Sequence, residues 1–315
     1  MTRYAGIDLG SNSCKLLICD GKGKKLCLRN ISTRLAEGMH KENMITDEAF
    51  ERGIECFSEY RYLLDKYKVK PDNLRAITTA ACRTAKNGCE FIKKIYEEFE
   101  ISLEIIDGLE EAVLNLKGSI EHVCGKSKYV VIYDLGGAST EVTLATNECN
   151  PQIIHSISIP WGARNSSEAF ELVEYSEENA TKLRNEIYKY MDEFLQKSNL
   201  QNYDDVCFVA TSSTPLRLAS LINKFKKYDR EKADGLYISK QQMDDAISQI
   251  LASKREELAK NPYVGDMRSC IFIAACVLFK AIYDKLELTG LTASLKSAKD
   301  GIVASLIERD KKCQN

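Results

Sequence analysis

The 315-residue chain is short of the residues that mark several large protein classes. It has three histidines, and none of its twelve cysteines falls in a Cys-x-x-Cys pair, so no zinc ligand set is complete. Cysteines scattered along a chain of this length do not read as a disulfide scaffold either. They are read as reduced thiols, mostly buried as small apolar side chains, which makes the cytoplasm the expected location. Long apolar runs are lacking too: the longest, CIFIAACVLF at 270–279, stops at Lys280, short of the roughly 20 residues a membrane-spanning helix needs. The opening MTRYAGIDLG has no basic stretch leading into an apolar core and a small-residue cleavage site, so no secretory signal is read. Net charge is only −2 and the pI near 6.1, which denies the chain the broad positive field of a non-specific nucleic-acid binder. Neither a membrane nor a specific nucleic acid is expected as a partner, and an anionic ligand would have to be gripped locally.

What is present is alternation of strands and helices. β-rich runs occupy 4–9, 14–19, 25–31, 74–79 and 101–107, with helical periodicity at 46–66, N-capped by Thr46, and at 89–99. The order begins again at 129–135, 141–146 and 153–159, followed by a helix in which Leu183, Ile187, Met191 and Phe194 share a face. A strand at 205–211 then leads to helices at 239–259, 269–286 and 295–310. The class is α/β, and the length suits two domains. Sliding the chain by 126 positions lays Asp8, Leu9, Gly10 and Ser13 on Asp134, Leu135, Gly136 and Ser139, so the domains are expected to be related. The division is placed at 1–124 and 125–315, with the last helix free to pack back on the first domain. No Pro- or Ser-rich linker separates the halves, so two rigid bodies about a cleft are expected.

The repeated turns, DLGSNSCK and DLGGASTE, each join two strand-like runs through small residues. Either alone is an ordinary hairpin turn. Repeated at the same place in both halves, they suggest more. Glycine lets a ligand approach the main chain, and successive amide N–H groups in such turns form a concavity for anionic oxygen. Gly10, Ser11, Asn12 and Ser13, with Gly136, Gly137, Ala138, Ser139 and Thr140, are therefore candidate phosphate-binding residues. A carboxylate beside a phosphate is repelled unless a cation stands between them. Asp8 and Asp134 thus point to Mg²⁺, or Mn²⁺, held by few carboxylates together with substrate phosphates.

The blocks GIDLGSNS at 6–13, TTAACRTAKNG at 78–88, GLEEA at 108–112 and DLGGASTE at 134–141 resemble, in order and spacing, the motifs of the exopolyphosphatase and guanosine pentaphosphate phosphohydrolase family. That family lies within the acetate kinase, sugar kinase, Hsp70 and actin superfamily. The resemblance implies two ribonuclease-H-like domains with the active site between them. The implied activity is removal of the terminal phosphate from inorganic polyphosphate or guanosine pentaphosphate. Carried over by motif, Glu111 is the implied general base, Arg83 a phosphate ligand, Asp134 a metal ligand and Glu141 a further metal ligand or support. Relatives commonly dimerise, so a homodimer is one implied option, though no stretch of sequence marks an interface. In the first turn of a helix after Gly108, Glu110 is the better candidate for merely complementing the helix dipole.

The chain departs from the family pattern at several points. Ala138 stands where a third consecutive glycine is usual, and Val113 where a basic residue is common. ATSSTPLRLA at 210–219 replaces an Ala-Ser-Gly-Thr turn, with Ser213 read in the glycine's place, and TASLKSAKDG only loosely matches the motif before the last helix. Without the extra helical domains of longer relatives, short polyphosphates are expected over long ones. Lys22, Lys24 and Lys25, or Lys224, Lys226 and Lys227, could guide a polyanion, but such groups are usually solvated surface. Two other readings stand beside the hydrolase. One is a non-catalytic regulator that binds an alarmone or polyphosphate. The other is a small-molecule kinase, disfavoured because no glycine-rich adenosine turn occurs late in the chain.

Overall fold

The computed structural model describes residues 2–123, 126–148 and 151–312. The first half carries strands β1 (Arg3–Leu9), β2 (Cys14–Asp20) and β3 (Lys25–Ile31) and helices α1 (Met39–Glu42) and α2 (Asp47–Lys66). It continues with β4 (Leu74–Thr78), α3 (Ala80–Thr84), α4 (Gly88–Phe99), β5 (Leu103–Ile105) and α5 (Gly108–Ser119). Next come β6 (Tyr129–Leu135), β7 (Thr140–Thr146), β8 (Ile153–Ile159), α6 (Ala163–Ala169), α7 (Glu177–Ser198), β9 (Val206–Thr211) and α8 (Ser213–Ile222). The chain closes with α9 (Arg230–Ala233), β10 (Tyr237–Ser239), α10 (Lys240–Leu251), α11 (Arg255–Lys260), α12 (Asp266–Ser269), α13 (Phe272–Lys285), β11 (Gly290–Ser294) and α14 (Ala298–Lys312). These elements form two compact units, one of Met1–Gly118 with Ala298–Asn315, the other Ser119–Ser297. The sequence division at 124/125 differs from this boundary by the short helical turn Ile120–His122, which has no apolar periodicity to mark it.

In the first unit five strands lie in the order β3-β2-β1-β4-β5, with β1, β2 and β3 antiparallel and β4 and β5 parallel to β1. β1 and β2 are buried at nearly every position because both faces are covered. On one face Tyr4, Leu17, Ile77, Leu114, Ile302 and Leu306 form a core around α14. Gly6 permits the approach, since a Cβ there would stand 2.8 Å from the Lys299 carbonyl. Against β2, α2 buries Phe57, Tyr60 and Leu64, and the Tyr60 hydroxyl donates to the Cys14 carbonyl at 2.5 Å. Thr46 caps α2 by accepting from the Ala49 amide.

In the second unit six strands lie in the order β10-β11-β9-β6-β7-β8. Here too three antiparallel strands, β6, β7 and β8, are followed by strands parallel to the first, β9 and β11. This shared arrangement makes the chain α/β with two ribonuclease-H-like domains. The apolar run at 270–279 falls largely in α13, which is buried on nearly all sides, and α7 buries Leu183, Ile187, Met191 and Phe194 as their spacing predicts. No described helix is long and apolar enough to cross a membrane. Several expectations need correction. The helix at 239–259 is two helices broken at 252–254, and α6, α8, β10 and β11 lie in stretches the sequence leaves as loops. β11, GLTAS, is short, parallel and buried, so it carries no alternation to betray it.

Candidate active site

In the first unit the turn between β1 and β2 is closed by a hydrogen bond from the Gly10 amide to the Ser13 carbonyl at 3.0 Å. The Ser11 carbonyl accepts from the Ala36 amide at 2.9 Å and the Asn12 carbonyl from the Arg34 amide at 3.0 Å. A trans peptide holds its C=O and following N–H on opposite sides. The Asn12 and Ser13 amides therefore point away from 34–36, as successive amides do in a main-chain nest.

The ends of the parallel strands β1, β4 and β5 bring the other candidates to the same edge of this sheet. The Thr78 hydroxyl donates to the Leu9 carbonyl at 3.2 Å, and the Ile106 amide to the Thr78 carbonyl at 3.1 Å. Arg83, exposed on α3, donates from Nη1 to the Ile106 carbonyl at 2.6 Å and has no carboxylate in ion-pair distance among the described residues. Asp107 caps α5 through the Glu110 amide at 2.8 Å. The two glutamates that follow part company. Glu110 turns out to Arg75 at 2.5 Å, whereas Glu111 is 9% exposed.

Asp8 faces Lys15 across the β1–β2 pair, with Lys15 Nζ 3.4 Å from Asp8 Oδ2. Lys299, at the start of α14, is buried and paired with Asp300 at 2.7 Å. Burial pushes the Lys299 ammonium below its ordinary value against the pull of Asp300, and the Lys15 charge adds to the fall while Asp8 opposes it. Lys15 thus sits against the carboxylate that the sequence assigns to a metal, while Lys299 pairs with Asp300 and acts on Asp8 through charge alone. Neither is singled out by sequence reasoning, although the shift of 126 lays Lys15 on Glu141.

The second unit repeats the turn. The Gly136 amide donates to the Ser139 carbonyl at 2.9 Å, and α6 takes up the other carbonyls: Ala163 N to Gly136 O at 2.9 Å, Arg164 N to Gly137 O at 2.8 Å and Asn165 Nδ2 to Ala138 O at 2.9 Å. The Gly137, Ala138 and Ser139 amides are therefore turned away from α6. Ala138 has no left-handed backbone, so its methyl is accommodated. The Thr140 hydroxyl donates to the Trp161 carbonyl at 2.7 Å and acts as a support of the turn.

Here the carboxylate environment differs from that of the first unit. Asp134 pairs in register with Glu141 on β7 and with Thr211 on β9, so the three share one face of the sheet. Glu141 is 3% exposed and accepts from Ser158 Oγ at 3.0 Å, and the Thr211 hydroxyl is fully buried. Adjacent carboxylates with a hydroxyl suit a hard divalent cation that keeps waters and takes substrate oxygens. Among the described residues no cluster of three or more Asp, Glu, His or Cys side chains could hold a metal alone. This donor set therefore fits Mg²⁺ better than a dedicated protein cage.

A further basic cluster escapes sequence reasoning, because its members stand alone at 164, 217 and 268. Desolvation pushes the Arg268 guanidinium down to about 10, and the charges of Arg217 and Arg164 add to the fall. Arg217 stacks on the Tyr228 ring at 4.0 Å and donates to the Val264 carbonyl at 2.9 Å. Like charges crowded out of water suit an anion.

The backbone strain at the end of β9 falls on the serine before the one read in the glycine's place. Ser212, not Ser213, has φ 92 and ψ −174, a region essentially reserved for glycine, at the N-cap of α8. Ser212→Gly is expected to raise stability by about 1 kcal/mol, read as a higher denaturant midpoint at unchanged m.

The profile of the Ppx/GppA phosphatase family matches residues 20–310. The chain belongs to the Ppx/GppA phosphatase family. Among curated proteins, it is 28% identical over 317 residues to a bifunctional 3-dehydroquinate synthase/phosphatase of Fusobacterium nucleatum. The match covers 96% of this chain and 46% of that protein, so the chain spans about half the length of the relative. Among solved structures, an exopolyphosphatase from Cytophaga hutchinsonii superposes with a TM-score of 0.86 at 24% identity, covering 98% of both chains. A Ppx/GppA family member from Aquifex aeolicus does so with a TM-score of 0.78 at 24% identity, covering 100% of this chain and 99% of that one. These likenesses agree with the Ppx/GppA assignment at the level of fold.

Proposed function

We propose that the chain is a hydrolase of the exopolyphosphatase type that removes the terminal phosphate from inorganic polyphosphate, short chains above all, or from guanosine pentaphosphate. The observation that carries this reading is the first unit's sheet edge, where a buried Glu111, an Arg83 with no carboxylate partner among the described residues and a main-chain nest occur together. Family membership and the phosphatase half of the Fusobacterium relative's name support it.

In this reading Glu111 accepts a proton from the water that attacks the terminal phosphorus. Arg83 offers a planar fork to the phosphoryl oxygens and spreads the charge that develops on them. The nests take oxygen without a side chain having to be ordered. Asp134 and Glu141 would hold Mg²⁺ or Mn²⁺, which when bound supplies positive charge to the phosphate oxygens. At Asp8 positive charge comes instead from Lys15. Substrate chemistry of this kind is mostly positioning and electrostatics, which suits a site built from turns and strand ends.

The test is release of inorganic phosphate from polyphosphates of several lengths and from guanosine pentaphosphate, with Mg²⁺ and with the metal chelated. Metal-dependent release from either substrate supports the proposal. Tight binding of either without release would make the chain a sensor.

A further inference from the structure

Arg34 is out of place as a structural residue. It lies just beyond β3 with φ 47, in the left-handed region that a side chain of its kind rarely adopts. Its amide donates to the Asn12 carbonyl at 3.0 Å and so helps to shape the β1–β2 nest, but any residue other than proline could supply that bond.

The segment is anchored by its neighbours. Leu35 is fully buried, the Ala36 amide holds the Ser11 carbonyl, and Arg52 binds the Thr33 carbonyl at 2.8 Å and the Arg34 carbonyl at 3.3 Å. The Arg34 side chain adds little to this. Nη1 lies 3.5 Å from Glu37, which Arg52 holds more closely at 2.9 Å, and the buried Nε has no hydrogen-bond partner among the described residues. Strain and a buried donor are kept at a position where glycine would serve the backbone better.

The second unit offers a parallel. The segment after its third strand again lends an arginine amide to its cradle, Arg164 N to Gly137 O at 2.8 Å. An arginine at the back of a nest is thus repeated where the backbone need alone does not call for one.

We propose that Arg34 is a substrate-binding arginine that contacts a phosphate beyond the one seated in the β1–β2 nest, and so makes the site favour a phosphate chain over a single phosphate. This rests on the phosphohydrolase reading above. The guanidinium is a planar donor fork suited to phosphoryl oxygen, and its side chain is 40% exposed, so it can leave the loose Glu37 contact when a polyanion arrives.

The experiment measures affinity without turnover, by calorimetry with orthophosphate and with tripolyphosphate, for wild type, Arg34→Ala, Arg34→Gly and Arg34→Lys. Arg61→Ala, which removes a surface charge paired with Asp65, is the control and should bind as wild type. The Ala and Gly variants should weaken tripolyphosphate binding at least about tenfold and change orthophosphate binding less than about twofold, with Lys between. Arg34→Gly should also melt at or above the wild-type temperature, which separates lost contact from lost fold. Retained tripolyphosphate affinity, an equal loss for both ligands, or no tripolyphosphate binding by wild type each overturns the proposal. A wild type that binds tripolyphosphate and loses it on substitution, yet releases no phosphate, would leave this inference standing and overturn the hydrolase reading.

Discussion

Glu111→Gln is expected to lower kcat for phosphate release by at least about 100-fold and to leave KM near the wild-type value. The amide preserves the size of the side chain but cannot take a proton. The backbone at this position is held by the bond from Glu111 N to Asp107 O at 3.1 Å, and the helix start by the Asp107 cap, neither of which involves the carboxylate. Fold and cradle should therefore survive, and tripolyphosphate affinity should be retained. The adjacent Glu110→Gln is the matched comparison: it disturbs an ion pair with Arg75 whose glutamate is 43% exposed, and such a pair contributes about 0–1 kcal/mol. Steady-state rates for both variants decide the matter. Equal rates for Glu111→Gln and wild type would remove Glu111 from the chemistry, and equal losses for the two variants would mean that helix α5 rather than one carboxylate is at issue.

The Asp-Leu-Gly turns are legible because their peculiarity is local: small residues where packing gains nothing, at the end of an apolar run, and then again 126 positions later. The closed Gly10–Ser13 and Gly136–Ser139 turns follow from those few residues. What lies across the sheet from each aspartate is also written in the hairpin register, yet Lys15 and Glu141 acquire meaning only when the pairing is known, because one neutralises a carboxylate and the other doubles it. Lys299 is brought against Gly6 by packing of the last helix on the first strand, a contact between distant stretches of the chain that no periodicity announces. The cluster of Arg164, Arg217 and Arg268 is hidden for the same reason. Ser212 is an intermediate case: the loss of a glycine is visible in the sequence, but which of two serines carries the strained backbone is decided by where β9 ends and α8 begins.

Gly162→Ala should be the most damaging single methyl in the second unit's cradle. Its backbone, φ −133 and ψ −176, is extended and open to any residue, so the cost is wholly one of space. A Cβ at this position would stand 2.5 Å from the Gly137 carbonyl carbon, 2.6 Å from the Ala138 nitrogen and 2.7 Å from the Gly136 oxygen, all backbone atoms that cannot rotate aside. Relief requires α6 to withdraw from the turn, which stretches the bonds from Ala163 to Gly136 and from Arg164 to Gly137 together. Overpacking of this kind costs about 1–3 kcal/mol, and displacement of a positioning element by about 1 Å can lower the rate about 100-fold. The variant should therefore show a lower denaturant midpoint and, at temperatures where it remains folded, sharply weakened tripolyphosphate binding and turnover. Gly10→Ala gives the contrast, since its Cβ would meet only the Ser13 oxygen at an ordinary 3.5 Å and the melting temperature should hardly move. If Gly162→Ala melted and bound like wild type, the contact between α6 and the turn would not be what shapes the nest, and the amides of Gly137, Ala138 and Ser139 would not be aimed by that helix.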